Sequence, residues 1–213
     1  MKAMAYLGNN GTTIARRKQR GFSLLEVVIC LSIIMIVSAI IAPRLMNGIY
    51  TVRLRYAAYD MSGAIQKARI ESVRRNRFIS MQQAVLPGNA IDYYVDLNGN
   101  NLIDPSDPQV VIPQGTNVFF GAGSGAPGEA AFIVSLGFAP DATGVLPRFN
   151  ARGLPCIPNA ANQCPALPNG GFVYFLSNAQ AMGGTFVAWS SVVVTPSGRV
   201  QVWAYDGAAW NQL

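Results

Sequence analysis

The longest apolar run of the chain lies near its N-terminus. From Phe22 to Ala42 the sequence reads FSLLEVVICLSIIMIVSAIIA and contains one charged residue, Glu26. A helix rises about 1.5 Å per residue, so this run would span roughly 31 Å, which matches the hydrocarbon core of a bilayer. The pattern predicts a transmembrane helix over residues 22–43.

A helical pattern of a different kind follows this run. Apolar residues recur at intervals of four, three, four and three positions, and arginines occupy much of the remainder. The apolar residues are Leu45, Ile49, Val52, Tyr56 and Tyr59, and the stripe continues with Met61, Ala64, Ile65 and Ala68. The spacing predicts an amphipathic helix within residues 44–80 that ends near Arg77, continues into the globular domain and packs its apolar stripe on another surface.

The pattern changes again after Phe78, where Gly and Pro become frequent and short runs favour strands. The clearest pair, Ser191–Thr195 and Arg199–Tyr205, flanks the tight-turn sequence Pro196-Ser197-Gly198. The other predicted strands are Phe78–Ala84, Ile91–Val95, Gln109–Ile112, Asn117–Phe120, Ala131–Val134, Phe172–Leu176 and Thr185–Trp189. Together these elements predict an α+β fold in which a long N-terminal helix packs on an antiparallel β domain of residues 81–213.

The positive charge of the chain is concentrated at its start. The net charge is +6, and residues 1–21 contain five basic residues and no acidic residue. Without that segment the net charge is +1, and residues 81–213 alone are acidic at −4, so nucleic acid is not expected as a partner. Basic residues precede the apolar run, and none follows it before Arg44, which places the N-terminus in the cytoplasm.

Catalytic chemistry is not expected from this sequence. The chain contains no histidine, which excludes Ser-His-Asp and Cys-His catalysis. Residues 123–128 match G-x-G-x-x-G, but no strand–helix context surrounds them, so a flexible loop is the better interpretation. Neither an enzyme nor a small-molecule substrate is predicted.

The segment around the start of the apolar run resembles a known processing site. Lys18-Gln19-Arg20-Gly21-Phe22-Ser23-Leu24-Leu25-Glu26 is similar to the type IV prepilin site. The resemblance implies that residues 1–21 are a leader, that prepilin peptidase cuts between Gly21 and Phe22, and that Phe22 is then N-methylated. The alternative is an ordinary signal anchor with Glu26 snorkelling near a helix end.

Glu26 is costly in a membrane whichever interpretation holds. A carboxylate within a spanning helix costs ~2.5–3.5 kcal/mol or more, so it needs a partner. The resemblance implies that this partner is the free amine of Phe22 in a neighbouring subunit, which would neutralise both charges and set the register of assembly.

Two further motifs resemble the GspH/FimT family of minor pseudopilins and pilins. Phe149-Asn150-Ala151-Arg152-Gly153 is similar to the F-x-x-R-G motif of that family, and Gly198-Arg199 to its terminal hairpin. The resemblance implies a minor pseudopilin of a type II secretion system, or a type IV minor pilin for pilus initiation or DNA uptake. Gln201 replaces the second Arg of the G-R-x-R signature in DNA-binding members, which favours secretion.

The resemblance to this family implies a location and a set of partners. The protein would be anchored in the inner membrane by one span, with its C-terminal domain in the periplasm. Its partners would be other pilins or pseudopilins, contacted through the N-terminal helix.

The cysteines predict one disulfide. Cys156 and Cys164 lie in a single proline-rich loop, and the periplasm is oxidising, so we expect them to be bonded. The alternative is two free thiols in a mobile loop. Cys30 lies in the apolar run and is expected to stay reduced.

One acidic loop, residues 96–107, is a candidate calcium site. Residues 96–107 place oxygen donors at the ligand positions of an EF-hand loop, and no other cofactor is expected. The donors are Asp96, Asn98, Asn100, the Leu102 carbonyl, Asp104 and Asp107. The alternative, slightly favoured, is a hairpin loop whose Asn and Asp side chains bond to their own backbone.

Overall fold

The computed structural model describes residues 22–86, 91–112, 119–121, 126–140, 142–143, 146–157, 164–165, 170–178 and 188–213. The chain divides into two compact units between Ala42 and Pro43. That division lies one residue from the end of the transmembrane helix predicted from the sequence.

A single helix, α1, runs from Leu24 to Arg74. Its most apolar window of 18 residues has a mean hydropathy of 2.9, and none of that window is buried. By length and composition the helix can cross a membrane. It ends three residues before the predicted end at Arg77, because Arg75–Arg77 turn into the first strand.

The part of α1 that follows Pro43 packs on the β domain through a face that the sequence analysis identified only in part. Met61, Ala64, Ile65 and Ala68 are buried as predicted, together with Leu54 and Ala58. The earlier positions of the predicted stripe are exposed in this subunit: Leu45, Ile49, Val52, Tyr56 and Tyr59. This part of the helix has two apolar faces, and the sheets cover the one that is rich in small residues.

Two sheets form the β domain within the described residues. The first contains β1 (Ile79–Val85), β2 (Ile91–Asp96), β3 (Gln109–Ile112) and β6 (Arg148–Phe149), in the order β3-β2-β1-β6. The second contains β4 (Phe119–Gly121), β5 (Ala142–Thr143), β7 (Phe172–Ser177), β8 (Trp189–Val194), β9 (Val200–Tyr205) and β10 (Trp210–Gln212). Its order is β10-β9-β8-β7-β4, and every pairing in both sheets is antiparallel except that of β5 with β7.

The α+β fold and most predicted strands are confirmed. The prediction was wrong at Ala131–Val134, which lies in a short helix, α2 (Glu129–Ser135). A short apolar run does not distinguish a strand from a buried helical turn, and α2 forms because Phe132 packs into an aromatic cluster. Only residues 119–120 of the predicted strand Asn117–Phe120, and only Ala188 and Trp189 of Thr185–Trp189, are among the described residues.

Side chains alternate across β7 and join two apolar cores. Phe172, Tyr174 and Leu176 belong to the core shared with α1, both sheets and Phe149. Val173 and Phe175 belong to the second core, on the opposite face, with Phe132 of α2 and the partly buried Trp203 and Trp210. Because β7 is covered on both faces, its sequence FVYFLS is apolar almost throughout.

Candidate functional site

The predicted mature N-terminus, Phe22, lies two residues before the start of α1. Phe22 is exposed and α1 begins at Leu24, so Glu26 lies in the first helical turn, exposed and without an ion pair in the part of the chain that the structure describes. Gly21 and the leader lie outside the described residues. Cleavage, methylation and the pairing of Glu26 with a neighbouring amine therefore stay predictions.

The two motifs of the β domain form turns that contact one another. Asn150–Leu154 is closed by the Gly153 amide, which donates to the Asn150 carbonyl at 2.8 Å. Gly153 has φ 72° and Gly198 has φ 78°, the left-handed region that favours glycine. A Cβ on Gly198 would lie 2.5 Å from the Gly153 carbonyl oxygen, so the two turns are packed backbone to backbone.

Arg69 of α1 joins both turns to the helix. Its Nε donates to the Gly153 carbonyl at 3.0 Å, and its Nη2 donates to the Ser197 carbonyl at 3.4 Å. A Cβ on Gly153 would also lie 2.9 Å from the Val73 side chain. The sequence analysis missed Arg69, since an arginine on an amphipathic helix usually lies on a solvated face.

The arginines of the two motifs themselves point to solvent. Arg152 and Arg199 are exposed, and neither side chain makes a hydrogen bond or ion pair with another described residue. The structure therefore brings the motif glycines into direct contact beside Arg69, whereas Arg152 and Arg199 remain available on the surface beside them.

The C-terminal end of α1 is held by a second arginine cluster. Arg74 and Arg75 bond to the same Oε2 of Glu71, at 2.8 and 2.9 Å, and these contacts, first that of Arg75, hold the pKa of Glu71 below its usual range. Arg75 and Arg77 also donate to the Leu97 carbonyl. The end of the helix is thus tied to the acidic loop.

In that loop, the described geometry is that of a self-bonded turn. The buried Asp96 accepts hydrogen bonds from the amides of Asn98, Gly99 and Asn101, at 3.3, 2.6 and 2.9 Å. Asp107 accepts from the amides of Leu97 and Asp104, both at 3.1 Å. Asn98 and Asn100 donate to Asp104, and Leu102 donates its amide to Asn100.

This arrangement matches the alternative that the sequence left open. Among the described residues, no three carboxylate, His or Cys side chains are grouped so that they could hold a metal ion. Asn101 adopts φ 58°, the left-handed conformation expected at a position where EF-hand loops have glycine. Calcium binding stays a prediction.

The structure contains the predicted disulfide. Cys156 and Cys164 are bonded, with their Cα atoms 5.3 Å apart. Cys156 is fully buried and its amide donates to the Arg148 carbonyl at 3.0 Å, so the bridge fixes the loop to β6. Cys30 is a free, exposed residue of α1.

Asp92 of β2 is a buried carboxyl that the sequence did not single out. Its side chain is completely buried, and neither oxygen has a hydrogen-bond partner among the described residues. Burial raises the pKa of Asp92 above its usual range, and the nearby backbone of Val110 offsets part of this rise.

The N-terminal segment matches a known protein family. Residues 16–42 match the prokaryotic N-terminal methylation motif. The chain is also 29% identical over 144 residues to the pilin-like protein PilA1 of Thermus thermophilus, an alignment that covers 67% of this chain and 83% of that protein. The motif and this relative make the chain similar to type IV pilin-like proteins. No solved structure matches the chain.

The exposed face of α1 suits assembly with other pilins, which the similarity to pilin-like proteins implies. Val52, Tyr56 and Tyr59 line a shallow groove of about 220 Å³ together with Arg55. Further along the helix, Ile70 and Val73 line a second groove of about 410 Å³ between Arg69 and Arg74. The motif and the apolar helix together indicate membrane anchoring, and the grooves lie on the part of α1 that follows the apolar segment.

Proposed function

We propose that this protein is a minor pseudopilin of a type II secretion system, assembling into a short periplasmic filament. The observation that supports this proposal most directly is the uncovered apolar face of α1 at Val52, Tyr56 and Tyr59. A contiguous exposed apolar patch on a helix that is already packed on its other side is typical of a protein–protein contact. Its role is structural.

Maturation follows from the N-terminal motif. Prepilin peptidase removes residues 1–21 by cutting between Gly21 and Phe22, and Phe22 is N-methylated. The mature helix stays in the inner membrane, with the β domain in the periplasm. Glu26 then pairs with the amine of Phe22 in the next subunit during assembly.

The packed turns of the β domain favour a minor subunit of the GspH/FimT type. The two glycines of that resemblance, Gly153 and Gly198, meet at Arg69 and leave no room for a side chain at Gly198. Two positions that need glycine and also contact each other support a subunit of this type.

A type IV minor pilin is the second candidate, supported by the exposed Arg152 and Arg199 beside these turns. Gln201, where DNA-binding members have Arg, pairs with Val193 inside the sheet and is half-buried. The acidic balance of residues 81–213 also opposes DNA.

A deletion strain separates the two functions. If the proposal holds, deletion abolishes secretion of type II substrates and leaves twitching and transformation intact. Lost transformation or twitching with normal secretion would instead assign the protein to a type IV pilus.

Glu26→Ala tests the assembly role within the same strain. We expect leader removal to proceed, with an intact mass that lacks residues 1–21, whereas recovery of the protein in filaments falls sharply because the buried amine loses its partner. Ser38→Ala, another change within the apolar segment, is the control. Normal incorporation of Glu26→Ala would show that the pairing is unnecessary.

A further inference from the structure

A polar cavity opens on the face of the first sheet that is turned away from α1. Ile79 and Met81 of β1 point into the core, so the intervening Ser80 and the following Gln82 lie on the opposite face, where Ser80 is buried and Gln82 is half-buried. With Phe78 and the acidic loop they enclose a space of about 310 Å³ that also reaches Asp96 and Arg148. This volume is at the lower end of ligand pockets, about 300–1,000 Å³.

The sheet register places opposite charges at the two ends of this cavity. Ser80 is paired with Asp96 of β2 on one side and with Arg148 of β6 on the other. Adjacent strands lie about 4.8 Å apart, so the backbones of Asp96 and Arg148 are roughly 10 Å apart across the row. The two side chains form no ion pair with each other, which leaves the space between the charges open.

The donors at the Arg148 end are unused. Among the described residues, the Arg148 guanidinium has no hydrogen-bond partner, although it can donate five bonds. Ser80 accepts a hydrogen bond from the Gln82 amide at 3.2 Å, so its own hydroxyl hydrogen is free to donate. This end of the cavity therefore presents one positive charge and an uncommitted hydroxyl donor, which suits a carboxylate.

The acceptors at the Asp96 end are partly used and rigidly held. Three backbone amides occupy three of the roughly four acceptor positions of the Asp96 carboxylate, which fixes its orientation and leaves one position open. Gln82 uses its amide hydrogens on Ser80 and on Asn101, at 3.2 and 2.8 Å, and so its carbonyl oxygen remains an acceptor. This end suits an ammonium group.

We propose that this cavity is a binding site for a small zwitterion of amino-acid type, held by its carboxylate at Arg148 and Ser80 and by its ammonium at Asp96 and Gln82. Arg148 and Asp96 lie on strands separated by β1, so a ligand whose two charges are separated by several methylene groups can reach both. Phosphate fits poorly, because its second negative charge would face Asp96. This site is independent of the function proposed above.

The test uses the full chain in detergent micelles with 6-aminohexanoate as the probe and saturation-transfer NMR as the readout. We expect saturable binding that is weaker for glycine and absent for acetate and methylammonium, each of which reaches only one end. Arg148→Gln should weaken binding about tenfold or more, the loss expected for one charge-assisted contact.

Arg152→Gln is the matched control, since Arg152 is an exposed arginine four positions away that does not line the cavity. It should bind the probe like the unaltered chain. Ser80→Ala, a smaller change, gives a second measure of the same site, with thermal melting to verify folding. Absence of saturable binding, equal loss in Arg152→Gln, or full competition by inorganic phosphate would overturn the proposal.

Discussion

The part of α1 that packs on the β domain has two apolar faces, and they differ in what covers them. One face, at Leu54, Ala58, Met61, Ile65 and Ala68, is almost completely buried beneath the sheets. The other, at Val52, Tyr56 and Tyr59, is roughly half exposed or more. The buried face alternates alanines with larger side chains, which lets the strands approach closely, whereas the exposed face contains two tyrosines whose hydroxyls tolerate water.

This difference shows that hydrophobic spacing predicts which side chains need to be buried, but not which surface buries them. Both faces satisfy the spacing of an amphipathic stripe, and the first five positions of the predicted stripe lie on the exposed side of the helix. The sheets of the same subunit cover one face. The other face is suited to contact with neighbouring pilins, which would cover it only after assembly.

The largest effect is expected on the buried face. Met61→Ala removes a fully buried side chain from the core between α1 and both sheets, so we expect a loss of about 2–5 kcal/mol in the free energy of unfolding. Urea denaturation of the full chain in detergent, followed by tryptophan fluorescence, measures it. A loss below about 0.5 kcal/mol, the range of surface substitutions, would mean that this face is not part of the core.

An intermediate effect is expected at Arg69, which is partly buried and joins the helix to the two turns. Arg69→Ala removes donors from the Gly153 and Ser197 carbonyls and should cost about 1–2 kcal/mol, since each hydrogen bond contributes about 0.5–1.5 kcal/mol. The same denaturation experiment measures this cost. Arg53→Ala, at an exposed position of the same helix, is the control, and an equal loss in both variants would contradict a specific role.

The smallest effect on stability is expected on the exposed face. Tyr56→Ser should change the free energy of unfolding by less than about 0.5 kcal/mol, because the side chain is exposed. Its incorporation into filaments should nevertheless fall. Crosslinking in cells measures incorporation, with Asp60→Ala as an exposed control on α1. Unchanged incorporation of Tyr56→Ser would remove this face from the assembly surface.

The sequence alone determined those features of the protein that depend on neighbouring residues. The uninterrupted apolar run predicted the long helix, and alternation and turn residues predicted β1, β2, β3, β7, β8 and β9 to within about two residues. The motif at Gly21 and Phe22 predicted the pilin-like class. In each case the signal is local, because helix and strand periods and cleavage motifs involve residues that are close together in the sequence.

Tertiary structure alone decided what depends on residues distant in the chain. The run 131–134 became a helix because Phe132 packs on Phe175 and Trp210. Gly153 and Gly198 meet because two turns distant in the chain pack backbone to backbone, and Arg69 bonds both turns to the helix. The Asp96–Ser80–Arg148 row exists only through the pairing of three strands. Local periodicity predicts whether a side chain needs to be buried. Only the packed chain decides which residues bury it.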